Sequence, residues 1–195
     1  MAISRILHMN SHHCSKGSHL QVAIDYVLKD EKTMNGLLTG SVNCIKENAY
    51  ECMKGTKRLY GKMDKRQGYH LIISFEENEC GGDTAMKVIE EFVHEYLESD
   101  YEAVYAVHTN TDHIHGHIIW NSVRFTDGYK YHYKKGDWEK DIQPRIDRIC
   151  EKYNLSTLEK SIEKTDKKEW DVLKDGPFVW NEQIKQDIDA CVLRA

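Results

Sequence analysis

Four of the eleven histidines in this 195-residue chain fall within ten positions, in the run His108-Thr-Asn-Thr-Asp-His113-Ile-His115-Gly-His117. Imidazole titrates near neutrality and is the commonest metal ligand, so such a cluster points to metal binding or proton transfer. The apolar run Ile118-Ile119-Trp120 follows directly and marks the stretch as the mouth of a strand. Alternate residues on a strand share a face, so His115 and His117 point the same way. His113 shares that face, but at roughly 3.3 Å per residue it lies about 13 Å from His117. Metal–nitrogen bonds of about 2 Å do not let one ion reach both. The third ligand is therefore expected from a neighbouring strand. Residues 101–108 read as that strand, and residues 110–112 as a polar turn. His108 then faces His115 and His117 across a hairpin. The ordinary alternative is a wet hairpin tip with incidental histidines. The pattern His-x6-His-x-His on a strand pair favours the metal site.

Other elements must position this hairpin. Ser18 is placed to cap a first helix, with Leu20, Ile24, Val27 and Leu28 at helical spacing and an end near Lys29. The glycine-containing polar stretch 35–56 holds a short helix over 45–53. Residues 69–75 form a strand rich in β-formers. Asp83-Thr84 caps an amphipathic helix that runs to about Leu97. The histidine hairpin, strands 101–108 and 115–123, comes next. A shorter strand over 129–133 follows the Asp127-Gly128 turn. Residues 138–153 are helical, 161–175 are charged and read as helical or partly exposed, and 181–193 form a last amphipathic helix. Hairpins alternating with helices predict an α+β fold, a central antiparallel sheet flanked by helices. The expected organisation is a domain over 1–158 and a helical extension over 159–195, either separate or part of the same domain.

Composition narrows the function classes. Apolar residues make up 40% and charged residues 30%, which suits a globular chain. No apolar run is long enough to span a membrane, and the first residues lack the apolar core of a signal peptide. The six cysteines are scattered without a Cys-x-x-Cys pair, as in a reducing cytosol, which argues against a disulfide scaffold or a zinc ribbon. The net charge of −5 does not announce nucleic-acid binding, but residues 54–66 hold six basic groups and one acidic. With Tyr60 and Tyr69 nearby, this segment could follow a phosphate backbone or be no more than a solvated loop.

Three stretches in order resemble the motifs of the relaxase/mobilisation nuclease family of VirD2-like (MOBP) type, among the HUH (His-hydrophobic-His) endonucleases. The first is Ala23-Ile-Asp-Tyr26 with Asp30-Glu-Lys-Thr33, and the second is Tyr69-His-Leu-Ile-Ile-Ser74-Phe75. The third runs from His108 through His117 to Asn121, with Gly116 replacing the usual bulky residue between the paired histidines. The resemblance covers residues from about 25 to 158, and the remainder is similar to the helical tail of relatives from Gram-positive elements.

This resemblance implies a site- and strand-specific nicking-closing enzyme of conjugation or mobilisation. It would cut single-stranded origin-of-transfer DNA and form a 5′-phosphotyrosine on Tyr26. A divalent cation, Mg²⁺ or Mn²⁺, would sit on His108, His115 and His117 and bind a phosphate oxygen. Asp112 and His113 would orient an imidazole or take the tyrosine proton. Lys57, Arg58, Lys62, Lys65, Arg66 and Ser74 would contact DNA, and Asn121, on the face of His117 by parity, would shape the site. Implied partners are the origin DNA with an adjacent hairpin, accessory relaxosome proteins and a coupling protein. The implied location is the bacterial cytoplasm, with passage to the recipient on the transferred DNA. Two alternatives remain open. One is a rolling-circle initiator or transposase of the same superfamily, with Tyr153 as nucleophile. The other is a non-catalytic, metal-dependent DNA-binding module.

Overall fold

The structure is a computed structural model and describes residues 2–10, 13–14, 17–111 and 113–157. Residues 1–158 form one compact unit. The boundary and the helices expected over 159–195 lie outside the described residues.

The chain opens with strand β1 (Ile3–Asn10), then a small ladder of β2 (His13–Cys14) and β3 (Gly17–Ser18). Helix α1 (His19–Val27) follows, capped as expected by Ser18, whose hydroxyl accepts from the Gln21 N–H at 3.2 Å. A loop leads to β4 (Thr39–Val42), helix α2 (Ala49–Leu59) and strand β5 (Arg66–Ser74). Helix α3 (Gly82–Tyr96), strands β6 (Ala103–His108) and β7 (His115–Asn121), and helix α4 (Gln143–Lys152) complete it. Five strands form one sheet in the order β1-β5-β7-β6-β4, with every neighbouring pair antiparallel. The α+β reading with a central antiparallel sheet therefore holds.

Five elements differ from expectation. β1 and β4 are strands the sequence did not announce, and α2 runs to Leu59 rather than ending near 53. The 129–133 stretch makes only an isolated bridge, Val123 to Lys130, because Tyr131 turns into the core side of the sheet instead of continuing a ladder. The first turn before α4, Trp138–Ile142, is π-helical.

The two sheet faces carry separate cores. Val104 and Ala106 of β6 and Ile119 of β7 pack with Leu20, Ile24 and Val27 of α1 and Ala49 and Met53 of α2. Ala103, Tyr105 and Val107, with Ile118 and Trp120, pack with Val88, Ile89, Phe92 and Val93 of α3 and Ile146 and Ile149 of α4. This alternation follows from the period of two. It sends His117 and His108 to the α1 face and Gly116 to the α3 face. A Cβ on Gly116 would stand 2.2 Å from Ile89 Cδ1 and 2.5 Å from Ile89 Cγ1. The helix lies so close to the strand that only glycine fits there.

Candidate active site

β6 and β7 pair in a register that sets His108 opposite His115 and Ala106 opposite His117. The rings of His108 and His117 come to 4.3 Å between centroids, and those of His115 and His117 to 6.4 Å. The hairpin thus gathers the three imidazoles that the spacing singled out. His113 stays at the turn, where its carbonyl accepts from the Thr111 hydroxyl at 2.6 Å. Asp112 lies outside the described residues.

Each ring has a defined neighbour. His108 Nε2 is 2.9 Å from the Val27 carbonyl. A carbonyl only accepts, so this nitrogen carries the proton and Nδ1 carries the lone pair. His115 Nδ1 stands 3.3 Å from the Thr111 hydroxyl. His117 Nδ1 is 3.0 Å from His70 Nε2 on the adjacent β5. His70 sits diagonally across from His117, two pairs along the ladder, which puts long side chains in reach. Its parity with Ser74 was visible in the sequence, but not the ring it would meet.

Burial dominates the electrostatics. It pushes His108 down to about 4 and His70 to about 3, and holds His117 well below the ordinary imidazole range. All three are neutral at pH 7 and present lone pairs rather than charge. This donor set suits a divalent cation. A buried hydroxyl adds to the fit. Ser74, paired with His115, has no hydrogen-bond partner for its Oγ among the described residues. Such a group costs about 1–3 kcal/mol unless something meets it. As placed, no three His, Cys, Asp or Glu side chains among the described residues close on one point. His108 would have to turn its lone pair inward to complete a cage.

Tyr26 occupies the last turn of α1, with its ring edge-on at 5.5 Å from His108 and 6.3 Å from His117. Tyr153 lies at the end of α4 on the other face of the sheet, where its hydroxyl donates to Glu91 of α3 at 3.0 Å. Among the tyrosines weighed as nucleophile, only Tyr26 is at the histidines.

The expected DNA contacts fare unevenly. Lys57 is 1% exposed, with Nζ 3.5 Å from the Met53 carbonyl, so it is corrected to a buried group. Ala49, Met53 and Lys57 form the inward stripe of α2 at steps of four. Asn121 is also corrected: it is fully buried, donating to the Met53 carbonyl at 3.0 Å and to Glu102 at 2.6 Å. It shares the face of His117 but ties α2 to the sheet and cannot meet DNA. Lys62 donates to the Gly128 carbonyl, and Arg66 to the Tyr69 hydroxyl at 3.0 Å, so both are occupied in holding loops. Arg58 and Lys65 are exposed. The segment lies at the Arg66 end of β5, about 26 Å along the strand from Ser74, so it does not line the histidine site.

With the geometry in place, known proteins can be set beside it. Residues 26–155 match the family model "Relaxase: MobA/VirD2-like, nuclease domain". A Protein rlx of Staphylococcus aureus is 32% identical over 168 residues, covering 86% of this chain and 49% of that protein. The group II intron-interrupted relaxase LtrB of Lactococcus lactis is 27% identical over 137 residues, 63% of this chain and 24% of LtrB. The chain spans about half the length of the Staphylococcus relatives it matches. Among solved structures, the MobM relaxase domain (MOBV; Mob_Pre), bound to plasmid oriT DNA and manganese, aligns with a TM-score of 0.54. It is 14% identical, over 85% of this chain and 95% of that domain, a likeness of fold. Tyr26 of α1 stands over the sheet face that carries His108, His115 and His117, and the family model takes in residues 26–155, two thirds of the sequence: the chain belongs to the MobA/VirD2-like relaxase nuclease family.

Proposed function

We propose that this chain nicks and rejoins one strand of DNA at a transfer origin, with Tyr26 as nucleophile. The observation that carries the reading is the tyrosine ring held edge-on to His108 and His117. In the reaction the Tyr26 hydroxyl oxygen forms a bond to phosphorus and the bond to the 3′-oxygen breaks. The tyrosine proton is lost and the leaving oxygen gains one. The phosphodiester energy stays in the phosphotyrosine link, so the strand can be rejoined without ATP. His108, His115 and His117 would hold a divalent cation, Mg²⁺ or Mn²⁺, which when bound neutralises charge on the phosphate. The manganese in MobM supports this choice of ion. His70 fixes the ring of His117, and the unpartnered Ser74 hydroxyl, buried as placed, would donate to a phosphate oxygen only once the phosphate displaces what covers it. The oriT DNA in the MobM structure likewise supports origin DNA as the partner.

The replication-initiator reading needs Tyr153, and its engagement with Glu91 on the opposite face speaks against it. The deciding experiment incubates labelled single-stranded origin DNA with the protein and Mn²⁺ and looks for a covalent adduct on a denaturing gel. Tyr26→Phe should abolish the adduct and Tyr153→Phe should leave it. The reverse pattern would indicate the initiator chemistry. A gel shift without any adduct would leave only a binding module.

A further inference from the structure

Among the described residues, Lys32 is the cation held over the Tyr26 ring. Its Nζ stands 4.0 Å from the centroid of the Tyr26 ring. The loop that carries it is firmly built. The Lys32 carbonyl accepts from the Thr109 N–H at 3.1 Å, which bonds the loop to the residue after His108. Thr33 beside it is fully buried, its hydroxyl donating to the Lys29 carbonyl at 3.0 Å and accepting from the Gly36 N–H at 3.2 Å. The neighbouring Glu31 pairs with Lys29 at 3.7 Å rather than with Lys32, which forms no ion pair among the described residues. Half-exposed and without an ion pair among the described residues, this ammonium stands within electrostatic reach of His108 and His117.

We propose that Lys32 is a catalytic residue of this site: its ammonium binds a non-bridging oxygen of the scissile phosphate beside Tyr26. The inference rests on the tyrosine reading above. Lys32 neither gives nor takes a proton. As the tyrosine oxygen bonds to phosphorus and the 3′-oxygen leaves, charge builds on the equatorial oxygens, and a fixed cation there lowers the barrier. A plain cation–π contact would explain the 4.0 Å geometry too, but would act only on the packing of Tyr26.

The test compares wild type, Lys32→Met and Lys32→Arg in single-turnover adduct formation on a single-stranded origin oligonucleotide with Mn²⁺. A second arm measures affinity for the same oligonucleotide with the scissile phosphate replaced by an uncharged methylphosphonate. Lys32→Met should slow adduct formation on the order of 100-fold, and Lys32→Arg should recover most of it. The methylphosphonate should weaken binding more in wild type than in Lys32→Met, a difference that a packing role would not produce. Melting temperatures of the variants guard against misfolding. Equal adduct rates in wild type and Lys32→Met, or equal losses on methylphosphonate, overturn the role of Lys32 alone. If wild type itself forms no adduct, the tyrosine reading falls first and Lys32 with it.

Discussion

Lys57 separates a buried cation from a DNA contact, and the two make opposite predictions. Its side chain is 1% exposed, and burial lowers its pKa from 10.5 to about 7, with Lys130 adding repulsion and Glu102 opposing. In the unfolded chain the amine keeps its ordinary value. Between pH 7 and 10.5 the unfolded state therefore binds a proton that the folded state has released, so stability rises with pH across that window. Below about pH 7 both states are protonated, and the cost of the buried ammonium is constant. Each unit corresponds to about 1.4 kcal/mol, so the gain from pH 7 to pH 9 is on the order of 2–3 kcal/mol. The perturbation is Lys57→Met, read by urea denaturation at pH 6, 7, 8 and 9. The difference in unfolding free energy between wild type and variant should grow in favour of wild type by that amount from pH 7 upward, and stay flat below. Tyrosine and cysteine ionisation is common to both proteins and cancels in the difference. Parallel stability curves for the two proteins would show that Lys57 is not buried as a titrating amine. In DNA binding, the salt dependence should be the same for both, because a buried ammonium releases no counterions.

Three further outcomes follow from the same geometry. His70→Ala should weaken Mn²⁺ binding about 10- to 100-fold in calorimetry, since His117 loses its 3.0 Å partner; unchanged affinity would remove His70 from the site. Gly116→Ala should cost about 1–3 kcal/mol in unfolding free energy, and that cost should shrink in an Ile89→Ala background, which removes both atoms that Cβ would meet; additive losses would refute the clash. Arg58→Ala and Lys65→Ala should each lower the slope of log affinity against log salt by about 1 if these exposed groups meet phosphates, whereas an unchanged slope would make the basic segment structural throughout.

The histidine site was legible because its signals are local. A period of two fixes which rings share a face, and a polar turn fixes the partner strand, so His108, His115 and His117 follow from spacing alone. Their neighbours do not. His70 meets His117 across a ladder between residues 47 apart in sequence, and Lys32 reaches Tyr26 from an irregular loop. β4 escaped notice because Gly40 weakens its strand signal; the glycine is needed because a Cβ there would stand 2.4 Å from the Tyr105 ring. β1 carries a mixed burial pattern as an edge strand, without clean alternation. The basic segment misled for a different reason. Charge was counted without orientation, although Ala49, Met53 and Lys57 at steps of four already placed one lysine inward.

The contact between Gly116 and Ile89 ties together two positions on different elements. Anything larger than hydrogen at 116 fits only where residue 89 gives up the atoms that now stand against the strand. The two positions act as lock and key, so whether a change at one is tolerated depends on what stands at the other. A hybrid that joins a histidine strand with a bulky residue at 116 to this α3 would arrive with both halves sound and no way to close.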